Sequence, residues 1–206
     1  MRKEIQIAVL AVVVILTASA KVLPGQDDKA RFLLEYLRIK YQNRDFNTFI
    51  YVAAKNQKLY LISDGKVEVS YSVSTGKEGV GGKIGSNKTP EGLHFVKEMV
   101  GSELVENEII KKKVPTGKTA TPILDAKTDG RDLITSRVMH LKGLEEGVNL
   151  GEGFDSYRRG IFIHGTHEEG LIGKPVSRGC IRMRNKDVID LYSRIEVGTF
   201  VVILNN

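Results

Sequence analysis

The stretch IFIHGTHEEGLIGKPVSRGCIRMRNKDVIDLY, residues 161–192, decides how this chain folds and where its chemistry lies. The apolar run that ends at His164 predicts a strand, a glycine-rich loop leads from it to Cys180, and the apolar spacing beyond predicts a helix. A thiol is mostly protonated at neutral pH, so a nucleophilic cysteine needs an imidazole within hydrogen-bond reach. Cys180 is therefore the candidate nucleophile and His164 its candidate general base.

Cys180 is the only cysteine of the chain. A single cysteine can be a reactive thiol, an intermolecular bridge or an inert buried residue. Its neighbours favour the reactive thiol, because Arg178 and Arg182 can supply positive potential that stabilises the thiolate. Gly179 can adopt a sharp turn that points backbone N–H groups at one spot beside the thiol, and those groups are expected to form an oxyanion hole.

Outside this stretch, the sequence predicts a mainly β fold preceded by one amphipathic helix over 29–41. Asp64-Gly65 is a hairpin-turn signal between two apolar runs, and the polar stretch 105–132 is expected to be an excursion on the surface or along a substrate groove. The strands are expected in FIYVAA (49–54), QKLYLIS (57–63), VEVSYSVSTG (67–76), LHFVKEM (93–99), 137–141, 160–164 and 199–204.

The N-terminus carries two basic residues, an apolar run and then the small residues Ala18-Ser19-Ala20. This pattern predicts a signal peptide over residues 1–20, with membrane anchoring through residues 5–17 as the alternative. Both interpretations place the rest of the chain outside the cytoplasm, in the periplasm or cell envelope. We therefore expect a linker and helix over 21–48 and a catalytic domain over 49–206.

Composition and motifs argue against several other functions. The net charge of +6 comes from interspersed residues without a long basic tract, so nucleic acid is not an expected partner. Gly117-Lys118-Thr119 mimics the end of a P-loop but lacks the first glycine of that motif. The spacing of His164, His167 and Glu168 matches no usual set of zinc ligands, so neither a metal nor a cofactor is expected.

The segments I-H-G-T, S-x-G-C-I-R-M and N-x-D-V-x-x-L-Y together resemble the catalytic signature of the L,D-transpeptidase (YkuD-like) family. The resemblance extends upstream to KLYLISDGKVEVSYSVSTGK and to the T-P-E-G turn at residues 89–92. It covers roughly Tyr51 to Leu204. The combination of the spaced His-Gly and Gly-Cys pairs is far more specific than any one tetrapeptide.

The resemblance implies a β-sandwich catalytic domain with a short helix after the nucleophile. It also implies that Cys180 attacks a tetrapeptide stem of peptidoglycan, releases D-Ala and forms a thioester. An amine acceptor would resolve the thioester to a 3→3 cross-link or another amide, whereas water would make the protein a carboxypeptidase. Carbapenem-type inhibitors would acylate the same thiol. A cell-wall-binding module that has lost catalysis is a further alternative.

The resemblance also assigns roles to residues around the pair. The backbone carbonyl of Gly165 is expected to orient His164, and Ser177 and Arg178 are expected to contact substrate. Arg182 is expected to orient the loop or to meet a substrate carboxylate. Arg178 is a departure, since the family usually has histidine at this position. Arginine can replace a hydrogen-bond donor but cannot transfer protons, because guanidinium stays charged in proteins.

His140 lies in R-V-M-H-L at strand spacing. The residues before it resemble the strand on which this family binds the donor stem. A substrate contact and a structural role are both open for this side chain.

Overall fold

The computed structural model describes residues 25–206. The expected signal peptide or anchor, residues 1–20, and the apolar run 5–17 lie outside that part of the chain and stay predictions. Within the described residues, no helix is both long enough and apolar enough to cross a membrane.

Residues 25–206 form ten strands and two helices, with one short 3₁₀ turn before the nucleophile loop. The helices are α1 (Gln26–Lys40) and α2 (Asn185–Ser193), and the 3₁₀ turn is Glu169–Leu171. The strands are β1 (Thr48–Ala53), β2 (Lys58–Ser63), β3 (Lys66–Ser72), β4 (Gly92–Val100), β5 (Glu108–Lys111), β6 (Val114–Thr119), β7 (Ile134–Gly143), β8 (Phe162–Thr166), β9 (Ile181–Met183) and β10 (Phe200–Leu204).

All ten strands belong to one mixed sheet with the order β3-β2-β1-β10-β4-β7-β5-β6, and β8 pairs with both β7 and β9. The pairs β1–β10 and β8–β9 are parallel and the others are antiparallel. The parallel β8–β9 pair is important for the site. It places the strand that ends the glycine-rich loop beside the strand that carries His164.

The sheet encloses an inner core to which both of its ends contribute. Ile50 and Val52 of β1 meet Met139 of β7 and Ile163 of β8 in this core, while Phe49, which alternates with them, faces the opposite side. This alternation is expected because successive side chains of a strand point to opposite faces of the sheet. The mainly β expectation is confirmed, and the two layers expected of a sandwich are parts of one continuous sheet.

Two helices cover the sheet. Helix α1 confirms the expected amphipathic helix and packs its buried side chains, Ala30, Leu33, Leu34 and Leu37, against an outer core. Helix α2 confirms the helix expected after the nucleophile, and Val188 and Leu191 anchor it in the inner core. Because α2 follows β9 directly, its packing fixes the position of the loop before β9.

The first half of the surface excursion expected over 105–132 is a hairpin of two strands, β5 and β6, which the sequence did not predict. Every residue of β6 is exposed, so this strand has no buried face and shows no apolar alternation in the sequence. Its turn residues, Lys112 and Lys113, both adopt positive φ without the usual asparagine or glycine. The sequence also gave no signal for the three-residue strand β9.

Candidate active site

The predicted nucleophile and base lie on neighbouring strands. Ile163 and Ile181 are paired across β8 and β9 and both point into the inner core. Since side chains alternate along a strand, His164 and its partner Arg182 face the opposite side. Cys180 immediately precedes β9 and shares that side. The structure thus brings these two predicted residues to one face of the sheet.

The thiol of Cys180 is held between two backbone groups of the strand opposite. It donates to the carbonyl oxygen of Gly160 at 3.3 Å and accepts from the N–H of Phe162 at 3.4 Å. Burial raises the pKa of Cys180 to about 11, although the Phe162 N–H opposes the rise. Arg182 also lowers the pKa of the thiol, as expected, but burial outweighs this effect, and the thiol is protonated in the resting state.

His164 is buried, and its Nδ1 lies 2.8 Å from the carbonyl oxygen of Gly165. A carbonyl only accepts, so Nδ1 carries the proton and Nε2 keeps its lone pair. Burial lowers the pKa of His164 to about 4. The imidazole is therefore neutral at physiological pH and able to accept a proton. Among the described residues, no hydrogen bond joins Nε2 to the thiol of Cys180.

The turn that leads to Cys180 is tied together by Ser177. Its buried hydroxyl donates to the carbonyl oxygen of Cys180 at 2.6 Å and accepts from the N–H of Gly179 at 3.1 Å. The expected oxyanion role of the Gly179 N–H is thus wrong for this geometry, because that N–H is already used. Ser177, expected to contact substrate, instead shapes the turn.

The backbone conformation at position 179 requires a glycine, whereas the N–H of this residue is not a free hydrogen-bond donor. Its φ of +117° lies in a region that side chains rarely allow, and a Cβ there would stand 2.9 Å from the Lys88 carbonyl oxygen. No acceptor is found for the backbone N–H of Cys180 within residues 25–206. The N–H of Arg178, in the same turn, also has no acceptor among the described residues.

Thr89 was missed as a functional residue. Its fully buried hydroxyl donates to the carbonyl oxygen of Gly179 at 3.0 Å and accepts from the N–H of Gly76 at 2.8 Å. It therefore joins the loop after β3 to the nucleophile turn. The T-P-E-G segment had marked Thr89 as part of the family resemblance, but only the fold shows what its hydroxyl contacts.

Arg182 is buried and paired within the protein. Its guanidinium lies 3.0 Å from Glu168 Oε2 and 2.6 Å from Asp132 Oδ1. The expected substrate contact of Arg182 is not favoured, because its side chain is only 5% exposed and already holds two carboxylates. Neither Glu168 nor Asp132 was identified as part of this site from the sequence.

The other two candidates differ in accessibility. Arg178 is exposed next to the nucleophile turn, which leaves it open to a substrate. His140 is buried, stacks on Tyr157 with ring centroids 4.0 Å apart, and meets the edge of Phe162. Its Nε2 also lies 3.0 Å from the carbonyl oxygen of Tyr157. Of the two roles left open for His140, these contacts favour the structural one.

Three residues beside Arg182 lie close enough together to hold a cation: Asp129, His167 and Glu168. Their polar atoms are engaged with one another and with neighbours. His167 Nε2 lies 3.0 Å from Asp129 Oδ1, and Glu168 accepts from Thr128, from the Asp129 N–H and from Arg182. The cluster therefore ties the 128–132 loop to β9 through hydrogen bonds and ion pairs.

Fold and site together define a class: a mainly β domain with a neutral histidine on one strand and a cysteine immediately before the adjacent strand. The sequence model of the L,D-transpeptidase catalytic domain matches residues 47–203. The chain therefore belongs to the L,D-transpeptidase family, whose members are transferases.

Individual proteins resemble this chain to different extents. YqjB of Bacillus subtilis (strain 168), which bears an L,D-transpeptidase name, is 34% identical over 77% of this chain and 72% of its own length. YkuD of the same organism is 61% identical over a shorter match, which covers 20% of this chain and 25% of YkuD. The crystal structure of an L,D-transpeptidase (residues 123–326) from Xylanimonas cellulosilytica aligns with a TM-score of 0.49 and 16% identity, over 87% of this chain and 70% of that one.

Proposed function

We propose that this protein is an exported L,D-transpeptidase that acts on peptidoglycan tetrapeptide stems through a thioester on Cys180. One observation carries the proposal: a neutral imidazole, oriented by the Gly165 carbonyl, lies on the strand beside the one that begins at the thiol. This arrangement supplies a nucleophile and a base that can activate it only when a substrate is present.

In the first step, the thiol turns from the Gly160 carbonyl towards Nε2 of His164. The imidazole takes the thiol proton while sulfur attacks the carbonyl at the L-centre of the donor stem. The oxygen of the tetrahedral intermediate becomes negatively charged and needs donors. The N–H of Cys180 can serve as one of them, since it has no acceptor among the described residues.

In the second step, the intermediate collapses and the imidazolium gives its proton to the departing amine of D-Ala. The thioester that remains is then attacked by an amine, which forms a 3→3 cross-link or another amide and restores the thiol. Attack by water would give a tripeptide, so the alternative function is an L,D-carboxypeptidase on the same stems. A non-catalytic wall-binding role would require that no thioester forms at all.

The partners and location follow from the same proposal. Carbapenem-type β-lactams present a reactive carbonyl to the same thiol, so we expect them to acylate Cys180. The N-terminal sequence supports a place in the periplasm or cell envelope, where peptidoglycan stems are found. Resident metals or cofactors are not needed for acyl transfer between a thiol and an amine.

The test uses residues 21–206 with disaccharide-tetrapeptide, and it follows intact protein mass and released D-Ala. We expect a stem adduct on the native chain and none on Cys180→Ala. Cys180→Ser is the matched control, because it keeps the shape of the site but supplies a weaker nucleophile. Dimers among the products would identify a transpeptidase, and tripeptides a carboxypeptidase. Full D-Ala release by Cys180→Ala would contradict the proposal.

A further inference from the structure

Asp132 is an acidic side chain paired with Arg182, which lies on the same face of the sheet as the nucleophile and the base. It lies just before β7 and contacts Arg182, which is paired with His164 across β8 and β9. Burial is the main cause of the shifted pKa values of Cys180 and His164, and the charge of Asp132 acts on the pKa of both in the upward direction. The contact with Arg182 places Asp132 beside the reaction centre, although the acylation steps above assign it no task.

The charges around Arg182 do not balance. One guanidinium serves two carboxylates, Glu168 and Asp132, so the three side chains together carry one negative charge in excess. Glu168 cannot present that charge to a ligand, because it is 2% exposed and both of its oxygens accept hydrogen bonds. The excess negative charge is therefore accessible only through Asp132.

Asp132 is open enough to receive a ligand. Its side chain is 27% exposed, and its Oδ1 is the oxygen that contacts Arg182. No donor to Oδ2 is found within residues 25–206. An incoming ammonium group could pair with this oxygen without displacing the guanidinium.

Apart from Arg182, the positive groups near the thiol are two arginines with no carboxylate partner within residues 25–206. Arg159 donates to the carbonyls of Gly81 and Gly82, in the loop after β3, and Arg178 is exposed on the nucleophile turn. The surroundings of the thiol are thus cationic beside that turn, and the excess negative charge lies beside Asp132. An amine acceptor, which is an ammonium ion before it reacts, is favoured on the anionic side.

We propose that Asp132 binds the ammonium group of the acceptor and so directs the thioester towards an amine rather than water. This inference rests on the proposed function and names the acceptor class of the same site. The bound ammonium loses one proton to solvent, and its nitrogen attacks the thioester carbonyl. The C–S bond breaks, and a second nitrogen proton passes through His164 to sulfur, which regenerates the thiol and completes the amide.

The experiment measures how much of the thioester reacts with an amine and how much reacts with water. The fragment of residues 21–206 receives disaccharide-tetrapeptide with either diaminopimelate, an ammonium acceptor, or hydroxylamine, which is uncharged near neutral pH. Mass spectrometry gives the ratio of amide or hydroxamate to tripeptide. This ratio is set after the thioester has formed, so a change in acylation rate does not enter it.

For Asp132→Asn we expect the diaminopimelate ratio to fall roughly five-fold, as for loss of one partly exposed ion pair, while the hydroxylamine ratio stays unchanged. Asp132→Glu should recover much of the loss. Asp125→Asn is the matched control, because Asp125 pairs with Lys127 and its side chain is 75% exposed. That variant should leave both ratios unchanged.

Two results would overturn the assignment of Asp132: equal diaminopimelate ratios in Asp132→Asn and the native chain, or a parallel fall with both acceptors. The second result would make Asp132 a positioning residue for His164. If the native chain released no D-Ala, the proposed function itself would fail, and this inference with it. Normal D-Ala release with an unchanged ratio would remove only the role of Asp132.

Discussion

Replacing Thr89 by valine removes one buried hydroxyl and nearly preserves the shape of the side chain. In the native protein that hydroxyl accepts from the N–H of Gly76 and donates to the carbonyl oxygen of Gly179. Valine can do neither, so two buried backbone groups lose their partner. Because the second group belongs to the residue before the nucleophile, the change should affect both stability and catalysis.

The magnitude follows from the two lost contacts. A buried polar group left without a partner costs about 1 to 3 kcal/mol, so two such groups predict about 2 to 6 kcal/mol of lost stability. A domain whose stability lies in the middle or upper part of the usual range of about 5 to 15 kcal/mol would still fold. Displacement of the nucleophile by about 1 Å can lower a rate by about a hundred-fold, so D-Ala release should fall by at least about ten-fold.

Urea unfolding measures the first effect and D-Ala release the second. Thr89→Ser keeps the hydroxyl and should stay within about 1 kcal/mol of the native chain. Thr48→Val removes an exposed hydroxyl that contacts Ser63, and it should change neither quantity appreciably. If Thr89→Val matched the serine variant in both assays, the bridge between the two loops would not support the nucleophile turn.

Arg182→Met should destabilise the protein by about 3 to 5 kcal/mol, because it leaves the buried Glu168 carboxylate without its cation. Arg184→Met, at an exposed arginine, should cost less than about 1 kcal/mol, and equal urea midpoints for the two variants would contradict the pairing. Iodoacetamide should label Cys180 more slowly than a free thiol of pKa about 8.5 near neutral pH, because a raised pKa leaves less thiolate. Labelling should still be rising at about pH 10, and a plateau near pH 7 would contradict a protonated resting thiol.

The sequence predicted those parts of the site that depend on local pattern. His164 lies at the end of an apolar run, and Cys180 lies at the end of the glycine-rich loop. The structure places both residues on neighbouring strands. His164 also contacts the carbonyl oxygen of Gly165, as expected. This contact was predictable because the two residues are adjacent in the chain. Most strands were identifiable for the same reason, since their buried faces alternate.

Contacts between distant segments were not predictable in this way. Thr89 contacts Gly179 across 90 positions of sequence, and the pattern of neither segment reveals the other. Glu168 and Asp132 likewise become part of the site only in the fold, where Arg182 of β9 forms ion pairs with both. The strand β6 escaped prediction for a different reason, because an exposed edge strand buries no face and needs no alternation.

The state of the thiol shows why the charges of neighbouring residues are a poor guide on their own. Two arginines flank the Gly-Cys pair, and from the sequence they were expected to favour the thiolate. In the fold, Arg182 is neutralised by two carboxylates and Arg178 points to solvent, while burial disfavours the charged sulfur. Burial also keeps His164 neutral. A protonated thiol beside an unprotonated base is unreactive towards small electrophiles at rest, yet it needs only one proton transfer when a stem carbonyl arrives.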